Sequence, residues 1–156
     1  MRKIDDIDHN ILRELQQDGS LSIDSLAERV NLSRNACWRR VKMLEETGII
    51  RGRVALVDPE RIGCGLLVFI FVRTANHDPD WLETFRSAVT SLPEIIGVHR
   101  TSGELDYVLR ARVADVKAYD RLYQRLIARV PLSDVSASFV MEDIKDTTAL
   151  PVGAAG

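Results

Sequence analysis

Cysteine and histidine are scarce in this chain: 156 residues hold only Cys37, Cys64 and three histidines. Two cysteines cannot form a zinc site alone, and both lie inside apolar patterns, so they read as reduced core thiols. His9 falls in the first predicted helix, His77 in a loop and His99 on a strand. Periodicity therefore brings no nucleophile and base together. Neither a glycine-rich phosphate loop nor a metal-ligand spacing is present, so no catalytic site, metal or cofactor is expected. Long apolar runs are missing too. The longest, Gly65 to Val72, is strand-length, well short of the roughly 18–20 residues a membrane helix needs. The first residues (Met1, Arg2, Lys3, Ile4, Asp5, Asp6) turn acidic without an apolar signal core, which predicts a cytoplasmic protein with no membrane partner.

Charge of one sign is also lacking, with a net value of −2. The distribution is more informative than the sum. Asp5 to Glu28 carries seven acids and one base, whereas Ser33 to Arg53 carries six bases (Arg34, Arg39, Arg40, Lys42, Arg51, Arg53) and two acids. Steering of a polyanion depends on that local field.

Three helices fit residues 5–47. Ile7, Ile11, Leu12 and Leu15 fall on one face of the first, and Gly19 suits a left-handed cap at its end. Ser22 caps a short second helix whose face is Ile23, Leu26, Ala27 and Val30. Asn31-Leu32 is a tight turn, Ser33 caps a third helix through Glu46, and Gly48 stands where a C-terminal cap belongs. Short helix, tight turn and longer helix make a helix-turn-helix, here about residues 23–42. On the third helix Cys37, Val41 and Leu44 cluster on one side, and Asn35, Arg39, Lys42 and the flank of Trp38 point the other way. Arginine bridges guanine O6 and N7, and asparagine bridges adenine N6 and N7 in the major groove. Ser33, Arg34 and the helix N-terminus suit a backbone phosphate. Trp38 reads equally well as a core anchor. Ile49 to Val57 reads as a short strand or wing whose Arg51 and Arg53 reach flanking phosphates, closed by Asp58-Pro59.

Beyond Gly63 the pattern changes. Leu66 to Val72 is a strand apolar on both faces, which implies a cover on each. A helix over Asp80 to Leu92 follows, then strands Ile95–Ser102 and Leu105–Val113 joined through Gly103-Glu104. Asp115 caps another helix with the stripe Val116, Tyr119, Tyr123, Leu126, Ile127 and Val130, ended by Pro131, and Val135 to Ile144 is the last strand. The order predicts an α+β chain: a winged helix-turn-helix over 1–50, a strand or linker over 51–63, and a ferredoxin-like βαββαβ domain over 64–156. Two helices cover one face of such a sheet, so the other predicts dimerisation. At the hairpin, Thr101, Ser102, Gly103 and Asp106 gather small polar groups and a carboxylate that suits an α-ammonium group, while Ser136 and Ser138 share a face of the last strand. The plain alternative is a solvated hairpin and solvated strand serines.

Four strings carry a resemblance to the Lrp/AsnC (feast/famine) family of prokaryotic transcription regulators: "IDDIDHNILRELQQDGSLSIDSLAERVNLS", "RRVKMLEETGIIRGRVALVDPERIG", "TSGELDYVLRARVADVKAYDRLYQRL" and "VMEDIK". "CWRR" and "IKDTTALP" resemble one subgroup. The resemblance implies a DNA-binding unit over about Ile23 to Lys42. It also implies dimers paired through their sheets that often assemble into tetramers or octamers, and an effector, usually an amino acid, held between dimers. There the hairpin matching Gly103, Glu104, Leu105 and Asp106, with Ser102 beside it, meets last-strand residues matching Ser136, Ser138 and Phe139. One departure is visible: the family commonly has Pro-Gly after the second domain helix, and here Leu132-Ser133 follow Pro131. Double-stranded DNA, further copies of the chain and a small effector are thus the expected partners. An architectural DNA binder without an effector is the alternative.

Overall fold

The structure, a computed structural model, describes residues 4–75 and 78–153; His77 and residues 1–3 lie outside them. The chain forms two compact units: residues 1–56 with 145–156, and residues 57–144. The described part of the C-terminal tail, residues 145–153, thus clusters with the first unit.

The first unit is built on three helices: α1 (Asp6–Gln17), α2 (Ile23–Arg29) and α3 (Arg34–Glu46). Each N-terminus is capped by a side chain that accepts from an otherwise orphan N–H. Ser22 accepts from Ser25 N at 3.1 Å and Ser33 from Ala36 N at 3.3 Å. Asp5 caps α1 reciprocally: Asp8 N donates to Asp5 Oδ1 at 2.9 Å and Asp5 N to Asp8 Oδ2 at 3.2 Å. Gly19 does not take the left-handed conformation expected of it. Asn31 does, at φ 55°, reversing the chain between α2 and α3, and Gly48 does at φ 74° just beyond α3. Ile11, Leu26, Cys37 and Leu44 are completely buried and meet at the centre. Burial raises the thiol pKa of Cys37, which leaves it an unreactive core group. The expected strand or wing over Ile49–Val57 does not form: residues 51–57 are exposed and belong to no strand. Its alternating pattern finds no neighbouring strand to pair with among the described residues.

The second unit is a four-stranded antiparallel sheet in the order β2-β3-β1-β4, comprising β1 (Leu66–Arg73), β2 (Ile95–Arg100), β3 (Tyr107–Val113) and β4 (Asp134–Phe139). Helices α4 (Pro79–Thr90) and α5 (Val116–Ile127) complete the βαββαβ order. Both helices pack on one face, against Val68, Ile70 and Val72 of β1 and Leu109 and Ala111 of β3. Trp81 stacks on Phe85, which meets Tyr107 at 4.6 Å, and the Trp81 indole N–H donates to Pro131 O at 2.8 Å. β4 ends five residues earlier than expected, at Phe139.

The buried stripe of α5 also differs from expectation. Leu126 and Val130 are buried as expected, but Val116 and Ile127 are exposed, and Leu122, outside the expected stripe, is fully buried. The positions 119, 122, 126 and 130 follow a spacing of three and four, whereas 116 and 127 flank it. Leu122→Ala is therefore expected to destabilise the protein by about 2–5 kcal/mol, and Val116→Ala by no more than about 0.5 kcal/mol. Urea midpoints of the two variants check this, and equal shifts would refute the assignment.

Candidate DNA-binding and effector-binding surfaces

The helix-turn-helix exposes α3 as a continuous polar ridge. Ser33, Arg34, Asn35, Arg39 and Lys42 are all exposed, and Trp38 stands 51% exposed beside them, so it is no core anchor. Cys37, Val41 and Leu44 occupy the opposite face. The six basic residues are not equivalent. Arg34 Nε pairs with Asp24 at 2.9 Å, both side chains two-thirds exposed, and such pairs are weak and easily exchanged for a phosphate. Arg53 pairs with Glu45 at 3.2 Å. Arg51 is exposed in the extended segment after α3.

Arg40 is the exception. Its Nη1 donates to Asp8 Oδ1 at 2.7 Å and to both oxygens of Asp5 at 2.8 and 2.9 Å, and only 22% of its side chain is exposed. The Asp8 side chain is wholly buried. The Asp8 backbone N–H, then the Arg40 guanidinium, hold the Asp5 carboxyl far below the ordinary carboxylate range, and the two carboxylates raise Arg40 in turn. Arg40 thus clasps α3 to the N-terminus of α1. Arg40, which the sequence counts with the DNA-facing basic cluster, is thus already engaged by two carboxylates in the free chain. The clasp went unread because nothing in the local pattern ties residue 40 to residues 5 and 8.

In the second unit the hairpin between β2 and β3 spans residues 101–106. Ser102, Gly103 and Glu104 are exposed, and Leu105 and Asp106 half-buried. Gly103 sits at φ 120°, with open space where a Cβ would stand. Asp106 is firmly built in: its Oδ2 accepts from Thr74 N at 2.8 Å and its own N–H donates to Val72 O at 3.0 Å. Glu104 meets Arg73 at 3.5 Å. On β4, Ser136 lies opposite Phe71 and Ser138 opposite Phe69, so both serines stand on the helix-free face. Val72 opposite Val135 and Arg73 opposite Asp134 bring the start of β4 to the same end of the sheet as Asp106, with β1 between them. Phe139 is not gathered with the serines. It lies on the other face and meets Tyr119 edge-on at 5.2 Å. Strand alternation alone foretells this, since 136 and 138 share a face that 139 cannot.

Among the described residues, clefts open elsewhere in this unit. One, of about 660 Å³, is lined by Cys64, Glu94, Arg112, Arg121 and their neighbours. Another, of about 480 Å³, is lined by Phe85, Ile96, Arg100 and Tyr107 among others. Neither includes Gly103, Asp106, Ser136 or Ser138. In the first, burial is the strongest single influence on Glu94 and opposes its ionisation, but the hydrogen bond from Arg125, a backbone hydrogen bond and the Arg125 charge together hold its carboxyl below the ordinary value. Among the described residues no group of three His, Cys, Asp or Glu is placed to hold a metal, and no helix is long and apolar enough to cross a membrane.

A helix-turn-helix with a free polar recognition helix, joined to a ferredoxin-like unit, defines a DNA-binding transcription regulator with its own ligand-binding domain. Residues 4–51 match the winged helix-turn-helix DNA-binding domain, and residues 67–150 the Lrp/AsnC ligand binding domain. The chain belongs to the Lrp/AsnC family of transcription regulators. It is 51% identical over 150 residues to the DNA-binding transcriptional activator DecR of Escherichia coli, spanning 96% of this chain and 99% of that one. To the glutamate uptake regulatory protein of Zymomonas mobilis it is 47% identical, spanning 97% and 93%. Among solved structures, an AsnC family regulator from Agrobacterium tumefaciens superposes with a TM-score of 0.92 at 47% identity, covering 95% of this chain and 97% of that one. A Neisseria meningitidis regulator in complex with L-methionine does so with 0.91 at 38%, covering 96% and 97%. These relatives are regulators and not enzymes, and so is this chain.

Proposed function

We propose that this regulator binds operator DNA as a dimer or larger assembly and that an amino acid alters that binding. The observation that carries the DNA half is the free face of α3: Asn35 and Arg39 are the base-reading residues, and Ser33, Arg34, Lys42, Arg51 and Arg53 the phosphate contacts, with Trp38 alongside. Arg40 is left out, because the clasp with Asp5 and Asp8 occupies it. Dimers form through the helix-free sheet face, where Phe69 and Phe71 are only half-buried in one copy. Two recognition helices then address half-sites about one duplex turn apart, or a multiple of that.

The effector sits at the hairpin. Gly103 opens the backbone to close approach, Ser102, Glu104 and Leu105 flank it, and Asp106 takes the ammonium group. Ser136 and Ser138 come from a second copy, and Phe139 supports β4 from beneath. The Neisseria relative in complex with L-methionine supports an amino acid as effector. A soluble regulator of this kind works in the cytoplasm.

The test is a gel shift on the DNA upstream of its own gene, with and without pooled amino acids. A shift that the pool leaves unchanged would favour an architectural, effector-free binder. Asp106→Asn keeps an acceptor for Thr74 N while removing the charge. It is expected to leave DNA affinity without amino acids intact and to cut the amino-acid response by about tenfold. A full response in that variant would remove Asp106 from the site.

A further inference from the structure

The chain enters its first unit a second time, at Lys145, after β4 has been laid down. What holds it there is specific. The side-chain amide of Gln16, in the last turn of α1, donates to Leu150 O at 3.1 Å and accepts from Leu150 N at 2.6 Å. One amide thus satisfies both backbone groups of one residue, as a neighbouring strand would. Pro151 biases Leu150 toward the extended conformation that presents both groups. The Leu150 side chain is 71% exposed, so recognition runs through its backbone. Val152 packs against the apolar core of the first unit, and Gly153, at φ 81°, lies on the His9 ring with its Cβ position 3.5 Å from Nδ1. Ala149 N donates to Thr147 Oγ1 at 3.1 Å, which stiffens the approach.

We propose that residues 145–153 are a strap that carries the state of the effector-binding strand to the DNA-binding helices. This rests on the effector reading above. β4 holds Ser136 and Ser138, its ladder ends with Val140 N donating to Leu67 O at 3.0 Å, and the first unit begins again five residues later. A displacement of β4 therefore pulls on α1 through a short piece of chain, independently of the exposed linker at 51–57. The anchor at 150–153 includes two hydrogen bonds to an exposed residue, one half-buried valine and the contact of Gly153 with the His9 ring. Such a contact is weak enough to be released by a ligand, and local elements of low stability are the ones that switch. The strap has two arrangements, docked and free, and the effector biases the choice by its differential affinity for them.

The experiment measures affinity of the full chain for the duplex upstream of its own gene, with and without an equimolar mixture of the standard amino acids. Three variants are compared with the parent: Gln16→Leu on the helix side, Val152→Asp on the strap side, and a chain ending at Ile144. The mixture is expected to change parent affinity on the order of tenfold, and affinity of each variant by less than about twofold, with basal affinity retained. Agreement of the two point variants, made on opposite partners, guards against one of them acting by misfolding α1. Hydrogen exchange should show protection of residues 149–152 falling in the parent on adding the mixture. Variants that respond as fully as the parent would overturn the strap while leaving the effector reading intact. A parent that does not respond at all would overturn both, and the parent measurement alone tells the two failures apart.

Discussion

Arg39→Ala is expected to abolish specific binding at working concentrations while leaving fold and assembly untouched. Arg39 lies in the middle of α3, exposed, on the face opposite Cys37, Val41 and Leu44. A bidentate arginine–guanine contact accounts for about 1–3 kcal/mol of discrimination, and a dimer loses it twice, about 2–6 kcal/mol in all. At about 1.4 kcal/mol per tenfold, affinity for the operator falls by at least roughly thirtyfold. Alanine is at least as good a helix former as arginine, and an exposed substitution costs within about 0.5 kcal/mol of stability, so the melting curve should not move. Nonspecific affinity should fall far less, because the phosphate contacts proposed for Arg34, Lys42, Arg51 and Arg53 are untouched. Fluorescence anisotropy with operator and scrambled duplexes separates the two quantities. An isotherm that matches the parent on the operator would take Arg39 out of the interface.

What could be read from the sequence was what local physics decides. The caps at Ser22, Ser33 and Asp115 were legible because a hydroxyl or carboxylate three residues before a free N–H is a one-turn problem. The element order and the shared face of Ser136 and Ser138 follow from periodicity alone. Two of the misses, the clasp and the contact of the C-terminal tail, share a cause, which is distance along the chain. The clasp joins residue 40 to residues 5 and 8, and the strap joins residue 150 to residue 16. Neither leaves a periodic trace. Residues 145–153 have no helical or strand pattern, so nothing local foretells their contact with α1. Asn31, not Gly19, takes the left-handed turn, because it stands where α2 must reverse into α3 with Leu32 N donating to Ala27 O at 2.9 Å. Asparagine tolerates that conformation better than other residues with a Cβ. The basic cluster was visible as charge, but charge alone does not divide a free arginine from a clasped one.

That division carries the second large effect. Asp8→Ala is expected to cost about 1.5–3 kcal/mol, since it removes the buried carboxylate of the clasp and leaves the Arg40 guanidinium held by Asp5 alone. A loss of that size dominates the stability of a small unit and shows directly as a lowered urea midpoint. Replacing both ends with apolar groups, Asp8→Leu with Arg40→Met, should recover most of it, because no charge is then left buried. Acid should act on the same joint. Asp5 has a folded-state pKa below its unfolded value, so its contribution is present above about pH 4 and is lost as pH falls through the folded value. Stability should accordingly decline on acidification in the parent, and more gently in Asp5→Asn. The doubly apolar variant also decides the role of Arg40. If the residue is a clasp, the refolded variant binds operator with parental affinity and an unchanged salt dependence. If it contacts phosphate, affinity drops and the slope of log affinity against log salt flattens by about one for each copy bound. Stability recovered with DNA affinity lost would therefore return Arg40 to the interface, and the two measurements on one variant suffice to tell.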